Sequence, residues 1–203
     1  MSHQATTQPK LRRTPHEEVG PNYPIEKPPD RGYDLTINPR TGERAEGQIL
    51  YLSGRVINTH GVPIPGAQIE IWQANKHGRY AHPADPNPAP LDLNFESFGA
   101  TVSDPEGRWK FKTIKPAAYP ASSPGWWRPP HIHFDVRTDY NRLCTQMYFP
   151  GEPLNDVDFL IARHRKLGDG EYIVAKPAPL PEGAEPDAIA LTFDLVLNAR
   201  LYP

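Results

Sequence analysis

Apolar and polar positions alternate along several short stretches of this chain, and turn-forming residues separate them. Ile49 to Asn58 (ILYLSGRVIN) alternates well enough to predict a strand. The turn chemistry of His60 to Gly66 (HGVPIPG) follows, and Ala67 to Trp72 (AQIEIW) predicts its partner. Thr101-Val102-Ser103 leads into the turn Asp104-Pro105-Glu106-Gly107. From Arg108 to Ile114, Trp109 and Phe111 share one face while Lys110 and Lys112 share the other. His131 to Phe134, Leu143 to Phe149 and Ala190 to Leu197 read as further strands. Asn155 to Gly168 (NDVDFLIARHRKLG) has helical character, with Asn155 as N-cap and Gly168 as stop. Many short strands at turn-punctuated spacing predict an all-β fold, an antiparallel β-sandwich with long loops and one short helix. Lys76 to Leu93 is one of those loops. Residues 1 to 46 lack periodicity and predict an irregular N-terminal arm, with about the first 14 polar and mobile. The sandwich domain then covers residues 47 to 203.

Composition narrows the picture. The chain has 203 residues, enough for one domain with a sizeable core, and its 26 prolines favour turns over helices. A formal net charge of -2 gives no reason to expect nucleic acid or an anionic membrane surface as partner. No apolar run approaches the length that spans a bilayer. The first 20 residues carry basic side chains but no apolar h-region, so no secretory signal is expected. Cys144 is the single cysteine. It excludes an internal disulfide, fits a cytoplasmic compartment, and reads as strand packing between Leu143 and Thr145.

Candidate chemistry concentrates in Tyr119 to Phe134 (YPASSPGWWRPPHIHF). On a strand His131 and His133 point one way and Ile132 and Phe134 the other, so two imidazoles can converge on one metal ion. A plain alternative is a solvated strand face. Asp135 shares the histidine face but lies at its far end, which makes a two-histidine, one-carboxylate site a poor fit. Without a second cysteine a thiolate zinc site is out. Tyr80 and Tyr119 lie in loops beside strands, where function concentrates. A phenol must lose a proton with a pKa near 10 to ligate, which a strongly Lewis-acidic ion such as Fe(III) makes easy. Either tyrosine could equally be a ring half-buried at a loop base. Arg128, planar and permanently charged, stands three residues before His131. His82 reads as a solvated loop residue, His164 as helix surface, and His3, His16, His60 and His77 need no role. Asp92 and Asn94 look like loop-fixing residues.

Several motifs in order change these odds. They are Ile69-Glu70-Ile71-Trp72-Gln73-Ala74-Asn75, Gly78-Arg79-Tyr80, Pro90-Leu91-Asp92 with Asn94-Phe95, and Thr113-Ile114-Lys115-Pro116. Tyr119-Pro120, Trp127-Arg128-Pro129, His131-Ile132-His133-Phe134, Gln146-Met147-Tyr148-Phe149 and Phe193-Asp194 continue the series. From about Gly47 onward the chain resembles the intradiol ring-cleavage dioxygenases, most of all the iron-bearing β subunits of their protocatechuate branch. The resemblance implies one non-haem Fe(III) per chain, held by Tyr80, Tyr119, His131 and His133. Tyr119 matches the axial phenolate that leaves when substrate binds, and Tyr80 the one that stays. Arg128 matches the guanidinium beside the substrate and Gln146 a second polar group there. The implied reaction cleaves a protocatechuate-like catecholic diol with O2 to a cis,cis-muconate. The implied assembly is a homo-oligomer or a hetero-oligomer with a related α-type subunit.

Departures from that pattern bear on the substrate. Protocatechuate members carry Trp-Arg where this chain has Ala121-Ser122, the loop to Arg128 is one residue shorter, and the arm is shorter too. Hydroxyquinol or a substituted catechol therefore stays open. No helical dimerisation pattern of the catechol and hydroxyquinol branches appears before Gly47. A different class also fits part of the chain. Ser53 to Tyr119 resembles non-catalytic transthyretin-like sandwiches through Gly61-Val62-Pro63-Ile64-Pro65-Gly66-Ala67 and Asp104 to Phe111.

Overall fold

The computed structural model describes residues 10–27, 32–121 and 125–198. Strands β1 (Ile49–Asn58), β2 (Gln68–Trp72), β3 (Phe98–Val102) and β4 (Arg108–Ile114) come first. A two-residue ribbon of β5 (Tyr119–Pro120) and β6 (Trp127–Arg128) precedes β7 (His131–Arg137) and β8 (Arg142–Tyr148). Helix α1 (Phe159–Leu167) follows, then β9 (Lys176–Pro177), β10 (Ile189–Thr192) and β11 (Leu195–Leu197). The strands form a sandwich of two sheets plus the ribbon.

The first sheet is built on β1. One edge pairs antiparallel with β4 along its length. The other edge pairs parallel with β10 over Leu50–Ser53 and with β11 over Val56–Asn58. The sheet is thus mixed rather than purely antiparallel. The apolar run expected as a strand over 190–197 is two strands, broken at Phe193-Asp194. At that break Gly54 lies against the Phe193 carbonyl, where an added Cβ would come within 2.1 Å of the oxygen. Only glycine fits there.

The second sheet runs β3-β2-β7-β8, all antiparallel. Its inner face carries Ile69, Ile71, Ile132, Phe134, Val136, Leu143 and Met147, which meet Leu50, Leu52, Phe111 and Leu195 in the core. The outer face carries the polar members of β7, and His131, His133 and Asp135 there are nonetheless at most 4% exposed. The arm provides the cover. Glu17 N–H donates to the Cys144 carbonyl, Gly20 sits against the His133 ring, and Tyr23 donates to Glu70.

Residues 1–9, with His3, lie outside the described residues, as do 28–31, Ser122 of the shortened loop, and the last five positions. From Leu11 the arm is fastened, which corrects the mobile tail expected to residue 14. Leu11 N–H donates to Thr59, Thr14 N–H to Val196, and Leu35 N–H to Lys112. Helix α1 also starts later than expected. Its N-cap is Asp158, whose side chain accepts from Leu160 and Ile161, while Asn155 lies in a 3-10 turn and donates to the Phe149 carbonyl. Gly168 ends the helix at φ 70°, as the sequence indicates. Among the described residues no helix is long and apolar enough to cross a membrane.

Candidate active site

Strand register assembles the site, because directly opposed residues share a face. On β7 and β8, His131 lies opposite Tyr148 and His133 opposite Gln146. On the other flank Trp72 of β2 lies opposite His133, and their rings stack at 4.8 Å with 10° between planes. The β5–β6 ribbon pairs Tyr119 with Arg128, which brings phenol and guanidinium to the sheet's edge together. Tyr80 arrives from the loop after β2. Its backbone N–H donates to Asp85, and its ring meets Tyr119 edge-on at 5.4 Å and His133 at 6.2 Å.

The polar atoms of these four residues converge. His131 Nε2 lies 3.2 Å from His133 Nε2 and 3.4 Å from the Tyr119 hydroxyl. His131 Nδ1 lies 2.7 Å from the Pro129 carbonyl, an acceptor, so Nδ1 carries the proton and the Nε2 lone pair faces inward. Burial, with the Arg128 charge second, pushes His133 down to about 3 and His131 well below the usual imidazole range. Both rings are therefore neutral near pH 7. Burial raises the Tyr80 and Tyr119 phenols above their ordinary range, with Arg128 opposing it at both. The Tyr80 hydroxyl is buried and makes no well-formed hydrogen bond among the described residues.

These observations test the implied metal. An inward lone pair on His131 Nε2, a His133 Nδ1 without a partner and an orphaned buried phenol are costly unless something between these side chains accepts electron pairs and replaces phenolic protons. A hard, multiply charged cation does both, so the residues fit a ferric ion. Among the described residues no cluster of three His, Cys, Asp or Glu competes for that role. Asp135 is buried and its carboxylate accepts from Arg137 and Arg142. The Cys144 thiol is pushed up to about 12 by burial and is inert packing.

Arg128 is 6% exposed, lies over the Trp126 ring at 5.5 Å and donates three hydrogen bonds. Nε donates to Asp158 Oδ2 at 2.9 Å, and Nη2 donates at 2.7 Å to both Gln146 Oε1 and the Tyr148 hydroxyl. The Tyr148 hydroxyl donates in turn to Gln146 Oε1 at 3.0 Å. Gln146 is thus bonded directly to Arg128. Tyr148 and Asp158 were not singled out, and their partners are 20 and 30 residues away. The spacing Gln146-x-Tyr148 on a strand held a usable signal, since i and i+2 share a face. Nothing local in sequence marks Asp158 as more than a helix cap.

Other expectations resolve simply. Asp92 fixes its loop by accepting from Asn94 and Glu46 N–H groups. His82 is half-exposed and accepts from Ala84 N–H. His164 is not a surface residue. It is 3% exposed and sits between Glu17 and Asp169, tying α1 to the arm. A cavity of about 520 Å³ opens on the Trp72–Tyr80 side, walled by Asn22, Glu26, His82, Leu93 and Phe98 among others. Arg128, His131 and Gln146 do not border it, so it flanks the convergent donors rather than containing them.

Comparison with known proteins names the class of a sandwich that buries such a donor set beside a clamped guanidinium. The family model Dioxygenase_C, described as Dioxygenase, matches residues 19–199, and the chain belongs to that family. It is an intradiol ring-cleavage dioxygenase, an oxidoreductase of aromatic catabolism. The chain is 38% identical over 193 residues to the protocatechuate 3,4-dioxygenase beta chain of Burkholderia cepacia, covering 94% of this chain and 81% of that one. It is 28% identical to catechol 1,2-dioxygenase of Pseudomonas sp. (strain EST1001), of whose length it spans 63%. Among solved structures, the dioxygenase domain of a Streptomyces sp. SirexAA-E fusion aligns with TM-score 0.66 at 25% identity, covering 93% of this chain and all of that one. Hydroxyquinol 1,2-dioxygenase of Pseudomonas putida DLL-E4 shares the fold, with TM-score 0.70 at 24% identity over 94% of this chain and 68% of that one. The non-catalytic sandwich reading gains no support.

Proposed function

We propose that this enzyme holds one non-haem Fe(III) per chain through Tyr80, Tyr119, His131 and His133, and cleaves a protocatechuate-like catecholic diol to a cis,cis-muconate. The observation that carries the reading is the approach of His133 Nε2 and the Tyr119 hydroxyl to within 3.4 Å of His131 Nε2, with the buried Tyr80 ring packed against Tyr119 and His133. A ferric ion held by these four residues would supply Lewis acidity toward the oxygens of a catecholic diol.

The chain's own residues account for the remaining requirements. Tyr80 is 2% exposed and fixed through its backbone, which suits a permanent ligand. Tyr119 is half-buried on a two-residue strand, which suits the ligand that releases and takes a substrate proton. Arg128 presents fixed positive charge where negative charge grows on the attacked ring. Gln146 and Tyr148 hold its Nη2 and line the same face. Gly20 and Tyr23 of the arm help close the outer face against water.

The beta chain named in the Burkholderia relative supports a hetero-oligomer with a related α-type subunit, although the resemblance accommodates a homo-oligomer. Oxygen uptake with protocatechuate, catechol, hydroxyquinol and substituted catechols, with iron content measured in parallel, tests the reading. Uptake should be highest with protocatechuate, and the protein should be burgundy red from phenolate-to-iron charge transfer. A protein still colourless after anaerobic ferrous loading and air oxidation, and inactive with every diol, would overturn it.

A further inference from the structure

The guanidinium of Arg128 is a rigid plane with donors on three nitrogens, so where it points depends on which donor is anchored. Nη2 bonds to Gln146 and Tyr148, both on β8, which fixes one corner of the plane. A plane held at one corner still turns. The second anchor is Nε, and its partner is the Asp158 carboxylate, which is 0% exposed. Nη1 takes none of these bonds.

Asp158 has two attachments, one through each oxygen. Oδ1 accepts from the backbone N–H groups of Leu160 and Ile161 at 3.0 and 3.1 Å and so caps α1. Oδ2 accepts from Arg128 Nε. The helix is itself fastened to the body of the protein, because His164 bonds to Glu17 of the arm and to Asp169. A plain cap needs only the first attachment, and a plain counter-charge needs no fixed geometry. The two oxygens instead lock the guanidinium plane to a rigid element, anchored on the side away from β8.

We propose that Asp158 is a positioning residue for ring cleavage, holding the Arg128 guanidinium in one orientation toward the reacting ring. This rests on the placement of Arg128 beside the substrate proposed above. Asp158→Asn separates the two attachments. Asparagine caps helices about as well as aspartate. With its single oxygen at the cap, its NH2 group faces Arg128 Nε, donor against donor. The helix stays capped while the clamp is lost.

The test is a kinetic cycle of wild type, Asp158→Asn, Arg128→Ala and the double variant, all iron-loaded, with melting curves on each. Asp158→Asn should keep a cooperative melt and lose kcat by about 10- to 100-fold, the scale of a small misplacement of a catalytic group. In the Arg128→Ala background the same change should alter kcat less than about threefold, because a residue acting through Arg128 has nothing left to position. The proposal is overturned if the single variant stays within threefold of wild type, or if the two losses multiply. Should Asp158→Asn not fold, Asp158→Ser keeps a capping hydroxyl too short to reach Arg128 and enters the same cycle. If neither folds, Asp158 serves the fold rather than orientation, and the proposal is also overturned. Wild-type oxygen uptake is the control: no activity with any diol defeats the substrate reading, whereas an active wild type with an unaffected variant defeats the Asp158 assignment alone.

Discussion

At the scale of single residues, the four candidate ligands differ in how firmly they are held, and the difference is testable. His131→Ala and His133→Ala should each abolish iron binding, measured by elemental analysis. Near-full occupancy in either would mean the ligand set is wrong. Tyr119→Phe should keep iron while changing the colour and slowing substrate binding. Tyr80→Phe should lose the metal, and the opposite pattern would exchange the two roles. Arg128→Ala should lower kcat by about 100- to 1,000-fold in iron-replete enzyme, the cost of removing one preorganised charge-stabilising group. Lysine should recover little, since an ammonium reproduces neither the plane nor its three contacts. A steady-state kcat within about threefold of wild type would leave Arg128 with a structural role only. Which histidines matter was legible in part. The His131-x-His133 spacing shows the shared face, but the burial of His164 is not legible locally because its partner Glu17 is 147 residues away. Its spacing from Ile161, also buried, was the available sign of an inward face.

At the scale of elements, most strands were readable because turn residues bound them and one face of each is apolar. The helix boundary was not. Asn155 and Asp158 are equally good caps in sequence, and Pro153 starts a 3-10 turn that delays the true helix. The run at 190–197 looked continuous because a parallel partner imposes no alternation. The structure instead divides it at Phe193-Asp194, so that one strand's edge serves two short ones. The break depends on Gly54, whose flatness lets the Phe193 carbonyl approach. Gly54→Ala would place a methyl group 2.1 Å from that oxygen, against backbone that cannot rotate away. It should destabilise the protein by about 1–3 kcal/mol, the usual range for overpacking. A denaturant midpoint unchanged from wild type would show that the sheet absorbs the shift.

At the scale of the whole molecule, ion pairs knit distant segments, and their protons predict an acid limit. Glu185 accepts from Lys112, Tyr51 and Arg44, and Lys112 chiefly, then Tyr51, depress its carboxyl from an ordinary 4.5 to about 2. A depressed folded pKa contributes stability above the unfolded value, and that contribution is lost as pH falls from about 4.5 toward 2. Asp135 is depressed in the same direction, its own burial outweighed by hydrogen bonds from Arg142 and Arg137. The melting temperature should therefore fall steeply below pH 4.5, and Glu185→Gln should flatten part of that slope. An identical slope in the variant would exclude Glu185 as a contributor. The pairing of β1 has a further consequence, for synthesis rather than catalysis. Arg55 N–H bonds to Asp194, 139 residues later, and both parallel partners of β1 are the last strands described. A chain leaving the ribosome must keep one edge of β1 unpaired until residues 189 to 197 have been translated. Parallel, sequence-distant pairing closes slowly. Between the emergence of β1 and that of β10 and β11 the nascent enzyme carries an open apolar edge, exposed to aggregation.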